Sequence, residues 1–320
     1  MENDERYPKI GIRSKNELAK RISNHKLSQQ EALNLINDVL NNKNSYWKDS
    51  KKSEPEKEKW VRDASHTKYG TLLELISTRV LAPHDCLIPY FIFGGIKGRS
   101  CKSAAQNLLG KKRKRVLLKL DLKRFFEQNK YERVYSFFLH KCKCSKEGAK
   151  LLADLCCVPF GAKDNPQDYQ TIARGFSTSA RLAVWCNLDI FVKLGSTVRQ
   201  SMRGKDPRIS IYVDDIGITA SKVSVDDMRK LYVKLSKIIT EDKHSKLEIN
   251  EAKTRIVEHT GKTYVLEDEP PKNLSFEFVG SQMKKNSLTV GYKTRNKLRN
   301  AKRGVHKKRL LSYKTYIEKN

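Results

Sequence analysis

The tetrapeptide Tyr212-Val213-Asp214-Asp215, set among Ile209, Ile211, Ile216 and Ile218, constrains this chain more than any other stretch. The isoleucines read as two short strands, about residues 208–213 and 216–220, that meet at the acids. Two adjacent carboxylates on an apolar hairpin repel each other, and partial burial worsens the repulsion. Something positive must sit beside them, and a hard divalent cation with oxygen ligands is the candidate. About ninety residues earlier, Val116-Leu117-Leu118-Lys119-Leu120 forms a second apolar run that ends in Asp121 and leads into Phe125-Phe126. A strand ending in one acid and a hairpin carrying two can build a two-metal phosphoryl-transfer site. Taken singly, Asp121 reads as a strand-end cap and Asp214-Asp215 as a turn.

Charge narrows the partner. The 320 residues, enough for two or three subdomains, hold 65 Lys and Arg against 36 Asp and Glu, a formal net charge of +29. Such an excess calls for a polyanion, and nucleic acid is the first choice. A membrane-surface role needs a basic amphipathic helix with a strongly apolar face, which the text lacks, and no run approaches the ~18 apolar residues of a spanning helix. Residues 1–5 open no apolar leader core. The expectation is therefore a cytoplasmic protein with no membrane partner. Seven cysteines, odd in number and irregular in spacing, suit reduced thiols. His140, Cys142, Cys144 and the Cys156-Cys157 pair match no common zinc spacing.

The rest of the chain reads as α+β. Helical periodicity runs over residues 14–40, with Ser28 as a cap, and over 70–82, where it stops before Pro83. Residues 41–59, polar and rich in Lys, Glu and Ser, read as a loop or mobile finger outside the core. A Gly-rich stretch, Gly94-Gly95-Ile96-Lys97-Gly98-Arg99-Ser100, lets backbone approach something closely, with Lys97 and Arg99 supplying charge. Helices are expected at about 131–140, 145–157, 179–194 and 224–241, with irregular chain at 158–171 and short strands around 275–291. Residues 281–320 hold thirteen Lys or Arg and one acid, Glu318, interleaved with Leu298, Leu310, Leu311, Tyr313 and Ile317. That mixture suggests an ordered helical element that packs one face and tracks phosphates with the other.

The order of these blocks resembles bacterial reverse transcriptases of the retron and defence-associated group. Leu120-Asp121-Leu122-Lys123-Arg124-Phe125-Phe126 is similar to their first catalytic block, Arg174-Gly175-Phe176-Ser177-Thr178-Ser179 to the second, and Tyr212-Val213-Asp214-Asp215 to the third. Asn250-Glu251-Ala252-Lys253-Thr254 resembles the fourth and Phe278-Val279-Gly280 the fifth, the primer grip. The resemblance covers about residues 91–300 and implies a right-hand polymerase. Residues 1–110 would form N-terminal helices and fingers, 111–275 the palm, and 276–320 the primer grip and a short thumb-like element.

The resemblance also assigns roles. Asp121, Asp214 and the backbone carbonyl of Leu122 would hold two Mg²⁺ ions, with Mn²⁺ as the alternative, and Asp215 would complete the catalytic trio. Phe126 would pack on the nucleotide sugar and exclude a 2′-hydroxyl. Arg174, Gly175, Lys253 and Arg62 would contact the nucleotide; read without the resemblance, Lys253 is equally a surface lysine. Lys97, Arg99, Gly280, Arg295, Lys297, Arg299, Lys302 and Arg303 would contact nucleic acid. Partners would be a cognate structured noncoding RNA, the DNA product and dNTPs, with an effector protein or a second copy of the chain as further candidates. The biology would be anti-phage defence. Departures exist: Ala173-Arg174 stands where Pro-Gln is usual, and Ser103-Ala104-Ala105-Gln106-Asn107 replaces an Asn-Ala-x-x-His signature. These departures favour the wider defence-associated group over a standard retron enzyme. They also keep open template-independent or protein-primed synthesis, and a noncatalytic RNA-binding protein on the same fold is the rival from another class. No RNase H, endonuclease or integrase text is recognisable, so a complete retroelement is not expected from this chain.

Overall fold

The structure, a computed structural model, describes residues 6–110, 114–242, 247–259, 263–264, 276–284, 287–301 and 304–319. The chain divides into two compact units that do not follow chain order. Met1–Pro89, Gly95–Lys97 and Arg124–Leu188 make one; Tyr90–Gly94, Gly98–Lys123 and Asp189–Asn320 make the other. The mixture of helices with small antiparallel sheets gives the α+β class that the sequence predicts. No helix among the described residues is long and apolar enough to cross a membrane.

The second unit is built on a five-stranded antiparallel sheet whose central strand is Arg115–Asp121. On one side it pairs with Asp215–Ser221, which pairs in turn with Arg208–Tyr212; on the other lie Arg255–Glu258 and then Thr263–Tyr264. Alternation decides the faces, because successive side chains on a strand point to opposite sides. Leu118 stands opposite Ile218 and Leu120 opposite Ile216, all four fully buried. The helix Val225–Thr240 covers part of the sheet with Met228, Leu231, Leu235 and Ile239. Leu117 belongs to the cluster formed by Ala104, Ala105 and Leu108 of the helix Cys101–Leu109 together with Phe278, Met283 and Val290. The last three sit on or beside a small antiparallel meander, Glu277–Phe278, Ser281–Met283 and Leu288–Val290. At the far end of the central strand, buried Arg115 donates to Asp206 at 2.7 Å and to Thr219 Oγ1 at 3.0 Å.

The basic C-terminal stretch forms two helices, Tyr292–Asn300 and Val305–Glu318. Ile317 is buried in the same cluster, and Leu298 and Tyr313 pack against it. The expected helical element is therefore present in the described residues.

The first unit gathers helices Lys15–Ile22, Gln29–Asn42, Lys68–Leu75, Lys146–Cys156 and Ser179–Cys186. Ser28 caps the second of these through a reciprocal capping box with Glu31. Four expectations need correction here. Residues 158–171 are not irregular: Cys157–Gly161 and Pro166–Ile172 pair as an antiparallel hairpin with a bulge between Pro159 and Gly161. In a two-stranded sheet both strands are edges, where proline is tolerated. Residues 41–59 are not wholly outside the core, because Trp47 is buried beneath the guanidinium of Arg62 and the ammonium of Lys163. Helical chain does not end at Pro83: it widens into a π-turn at Ile76–Leu81 and tightens to 3₁₀ over Ala82–Leu87, with Pro83 in the first turn where its missing N–H is harmless. The helix expected at 179–194 is two helices, broken at Asn187 and continuing as Leu188–Ser201. All seven cysteines are free thiols, four of them buried.

Candidate active site

Tyr212 and Asp215 face each other as the last pair of the hairpin, so Val213 and Asp214 form a two-residue turn. Val213 adopts φ +59°, a left-handed conformation that a β-branched side chain resists. Two contacts hold this strained tip. The Leu122 amide donates to the Asp214 carbonyl at 2.9 Å, tying the turn to the chain just past the central strand. Gly94 lies against the turn: a Cβ there would fall 2.4 Å from the Val213 nitrogen and 2.5 Å from its Cγ2. Close backbone approach is what the Gly-rich stretch suggested, and here the approached element is the acidic hairpin itself.

The strand register sets Asp121 directly opposite Asp215. Like charges in that position destabilise a sheet. Two lysines offset them. Lys253, at the end of the short helical turn Glu251–Lys253, places Nζ 2.9 and 3.4 Å from the two Asp121 carboxylate oxygens. Lys119, two residues before Asp121 and hence on the same face, brings Nζ to 3.8 Å from Asp215. Burial pushes the Asp215 carboxyl above the usual carboxylate range and the Asp121 charge adds to this, while Lys119 and Lys253 oppose it. Asp121 is 8% exposed. The Asn250 amide donates to the Asp121 carbonyl at 2.7 Å, fixing the turn that carries Lys253 against the strand end.

The donors at this end of the sheet are carboxylate and carbonyl oxygens, which suit a hard divalent cation. Among the described residues no group of three or more His, Cys, Asp or Glu side chains is arranged as a metal cluster. The fit therefore rests on donor type and on the opposed acids, whose repulsion a cation would relieve in place of Lys253.

In the first unit, Phe125 is fully buried and Phe126 is 9% exposed. The guanidinium of Arg174 lies over the Phe126 ring, 4.8 Å from its centroid, and grips Glu127 through Nε and Nη2, each at 3.2 Å. Gly175, with φ +106°, follows; a Cβ there would lie 2.4 Å from the Arg62 carbonyl oxygen. Arg62, expected at the nucleotide, has its guanidinium occupied within the first unit. It is 3% exposed, pairs with Asp49, and donates to the carbonyls of Pro159, at 3.1 Å, and Gly161. Burial lowers its guanidinium below the ordinary range against the pull of Asp49, as expected of a structural cation.

The expected nucleic-acid residues are placed as follows. Lys97 is exposed, while Arg99 donates to the Ile92 carbonyl at 2.6 Å. Gly280 makes the turn after Val279, both with positive φ, and its carbonyl accepts from Gly291 at 2.8 Å. Arg295 donates to Gln282 at 2.5 Å; Lys297 and Arg299 are exposed on the same helix. Lys302 and Arg303 lie outside the described residues. Sequence reasoning missed Lys119 and Glu127. The i, i+2 spacing from Asp121 could have found Lys119; nothing local marks Glu127, whose partner is 47 residues away.

No curated protein sequence matches this chain. Among solved structures, the telomerase of Candida albicans in complex with a TWJ fragment of telomeric RNA is similar at 13% identity and a TM-score of 0.40. That match covers 60% of this chain and 33% of the telomerase chain, so the present chain spans about a third of that relative's length. The model of the family described as reverse transcriptase (RNA-dependent DNA polymerase) matches residues 57–283, which include Asp121, the acidic hairpin and Lys253. With most of its length inside that match, the chain belongs to the reverse transcriptase family.

Proposed function

We propose that this reverse transcriptase copies part of a bound, structured noncoding RNA into DNA by two-metal nucleotidyl transfer. The observation that carries the chemistry is the register that opposes Asp121 to Asp215 next to the Asp214 turn, with lysines as local counter-charges. Asp121, Asp214 and the Leu122 carbonyl would hold two Mg²⁺ ions. When bound, these supply a more acidic primer 3′-hydroxyl and charge stabilisation on the departing pyrophosphate. The primer 3′-hydroxyl gives its proton to solvent, and its oxygen forms a bond to the α-phosphorus as the bond to pyrophosphate breaks. Lys253, whose side chain is 67% exposed, is free to release Asp121 and donate a proton to the leaving oxygen. Asp215 stands beside the other two acids with Lys119 as a nearby counter-charge. Phe126, five residues after Asp121, meets the sugar and excludes a 2′-hydroxyl.

The large excess of Lys and Arg supports a nucleic-acid partner, and the exposed Lys297 and Arg299 on the C-terminal helix suit a phosphate backbone. The choice of a structured noncoding RNA, and a role in bacterial phage defence, rest on the order of the motif blocks. Untemplated synthesis drew its support from Arg174; the grip of Glu127 on that side chain gives the residue another occupation. Sequencing the nucleic acid that co-purifies with the protein tests the proposal. Complementary DNA matching one discrete RNA supports it. DNA of a sequence with no RNA counterpart contradicts it.

A further inference from the structure

We infer that Arg174 and Glu127 form a bracket that sets the position of the Phe126 ring, and that the bracket, rather than any contact of Arg174 with phosphate, makes this pair determine sugar selectivity. The inference rests on Phe126 being the residue that meets the sugar. Three restraints converge on that ring. Its face is covered by the Arg174 guanidinium at 4.8 Å. Its edge meets Phe125, fully buried, at a centroid distance of 6.1 Å and an angle of 62°. Its backbone is fixed from below: the Asn129 amide donates to the Phe126 carbonyl at 3.0 Å, and Asn129 Nδ2 donates to the Phe125 carbonyl at 2.6 Å.

Asn129 is itself held. Asn187 Nδ2 donates to its Oδ1 at 2.7 Å, and Arg133 donates to Asn187 Oδ1 at 2.7 Å. Both asparagines are essentially buried. This chain of hydrogen bonds gives Asn187 a reason to interrupt the helix there, and it makes the turn under Phe126 rigid.

Glu127 is the residue that turns this packing into a device. Its side chain is 8% exposed, so the carboxylate needs a partner, and it receives two parallel N–H bonds from one guanidinium. A fork held by both prongs has a fixed plane. Its central carbon is the atom that lies over the ring, 4.8 Å from the centroid. A lysine could neutralise Glu127 but could neither present two prongs nor stack as a flat cation. The backbone anchors the other end: the Arg174 carbonyl accepts from Arg62 at 2.7 Å, and Arg62 is immobilised by Asp49. A ring so enclosed cannot swing aside to admit an extra oxygen.

The two roles for Arg174 predict different kinetics. A phosphate contact is blind to the sugar, so its loss weakens dNTP and rNTP use by the same factor. Loss of the bracket changes the ratio between them. The experiment measures kcat/KM for a matched dNTP and rNTP with wild-type protein and with Phe126→Ala, Arg174→Lys and Glu127→Gln, each checked for folding by its thermal transition. Phe126→Ala should admit the rNTP, which establishes the sugar contact. Arg174→Lys, which keeps the charge, should then lower the dNTP preference by about tenfold or more. Glu127→Gln should move it in the same direction. A relaxed Phe126→Ala together with an unchanged ratio in folded Arg174→Lys and Glu127→Gln overturns the bracket alone. An unchanged ratio in folded, active Phe126→Ala overturns the sugar contact on which it rests.

Discussion

Gly94→Ala is the substitution whose effect the geometry specifies most closely. The added methyl would sit 2.4 Å from the Val213 nitrogen, 2.5 Å from Val213 Cγ2 and 3.0 Å from the Tyr212 carbonyl carbon. Ordinary contact needs about 3.5 Å. The clash therefore demands a shift of about 1 Å, and because two of the three atoms are backbone no rotamer change relieves it. The turn must move, carrying Asp214, whose carbonyl is tied to Leu122. Overpacking of this kind costs about 1–3 kcal/mol. A displacement of about 1 Å at reacting groups costs on the order of 10²-fold in rate. Gly11→Ala is the control: its φ is +67°, but nothing lies within 4 Å of the new methyl, so only the left-handed penalty of about 1–2 kcal/mol applies. Denaturant unfolding and dNTP incorporation per folded molecule should separate the two, with Gly11→Ala losing stability alone and Gly94→Ala losing both. Wild-type incorporation by Gly94→Ala would refute the claim that the turn position governs the chemistry.

Two further outcomes follow from charge. Because burial raises the Asp215 carboxyl, its ionised form opposes folding: the stability it contributes is present below the ordinary aspartate value and is lost as pH rises through the raised folded value. In chelator, Asp215→Asn should therefore raise the melting temperature near neutral pH, with the gain fading in acid; a loss at neutral pH would contradict this. Replacing Arg295, Lys297, Arg299, Lys302 and Arg303 with Gln should weaken RNA binding and reduce the log–log salt slope by about one per lost phosphate contact, while products shorten. Unchanged affinity, slope and product length would make these charges a solvated face.

The parts of the fold legible in the sequence are those where local pattern and tertiary role agree. The isoleucines around Tyr212–Asp215 and the run into Asp121 are apolar because the sheet they form is covered, and their pattern marks both strands and the acids at their ends, while the register that sets Asp121 opposite Asp215 is visible only in the structure. Where a role depends on a distant partner, the text was silent or misleading. Pro159 reads as a breaker, yet an edge strand accepts it. Trp47 sits in a stretch made polar by its own Lys, Glu and Ser, yet it is buried beneath Arg62 and Lys163, which come from elsewhere in the chain. Arg62 looked available because Asp49, Pro159 and Gly161 are not its sequence neighbours. The Glu127–Arg174 pair and the Asn129–Asn187 link are equally nonlocal, so the bracket over Phe126 became visible only in three dimensions.

The central claim is that Asp121 and the acidic hairpin carry RNA-directed DNA synthesis rather than merely shaping an RNA-binding surface. The most direct measurement is dNTP incorporation on a primed RNA template, with RNA affinity measured in parallel, for wild-type protein and for Asp121→Asn. The substitution keeps the side chain's shape and removes its charge, leaving the basic surfaces untouched. Incorporation should fall to background while RNA affinity stays at the wild-type value. Undiminished incorporation by a folded Asp121→Asn protein, or a wild-type protein that binds RNA and incorporates no dNTP, would contradict the account.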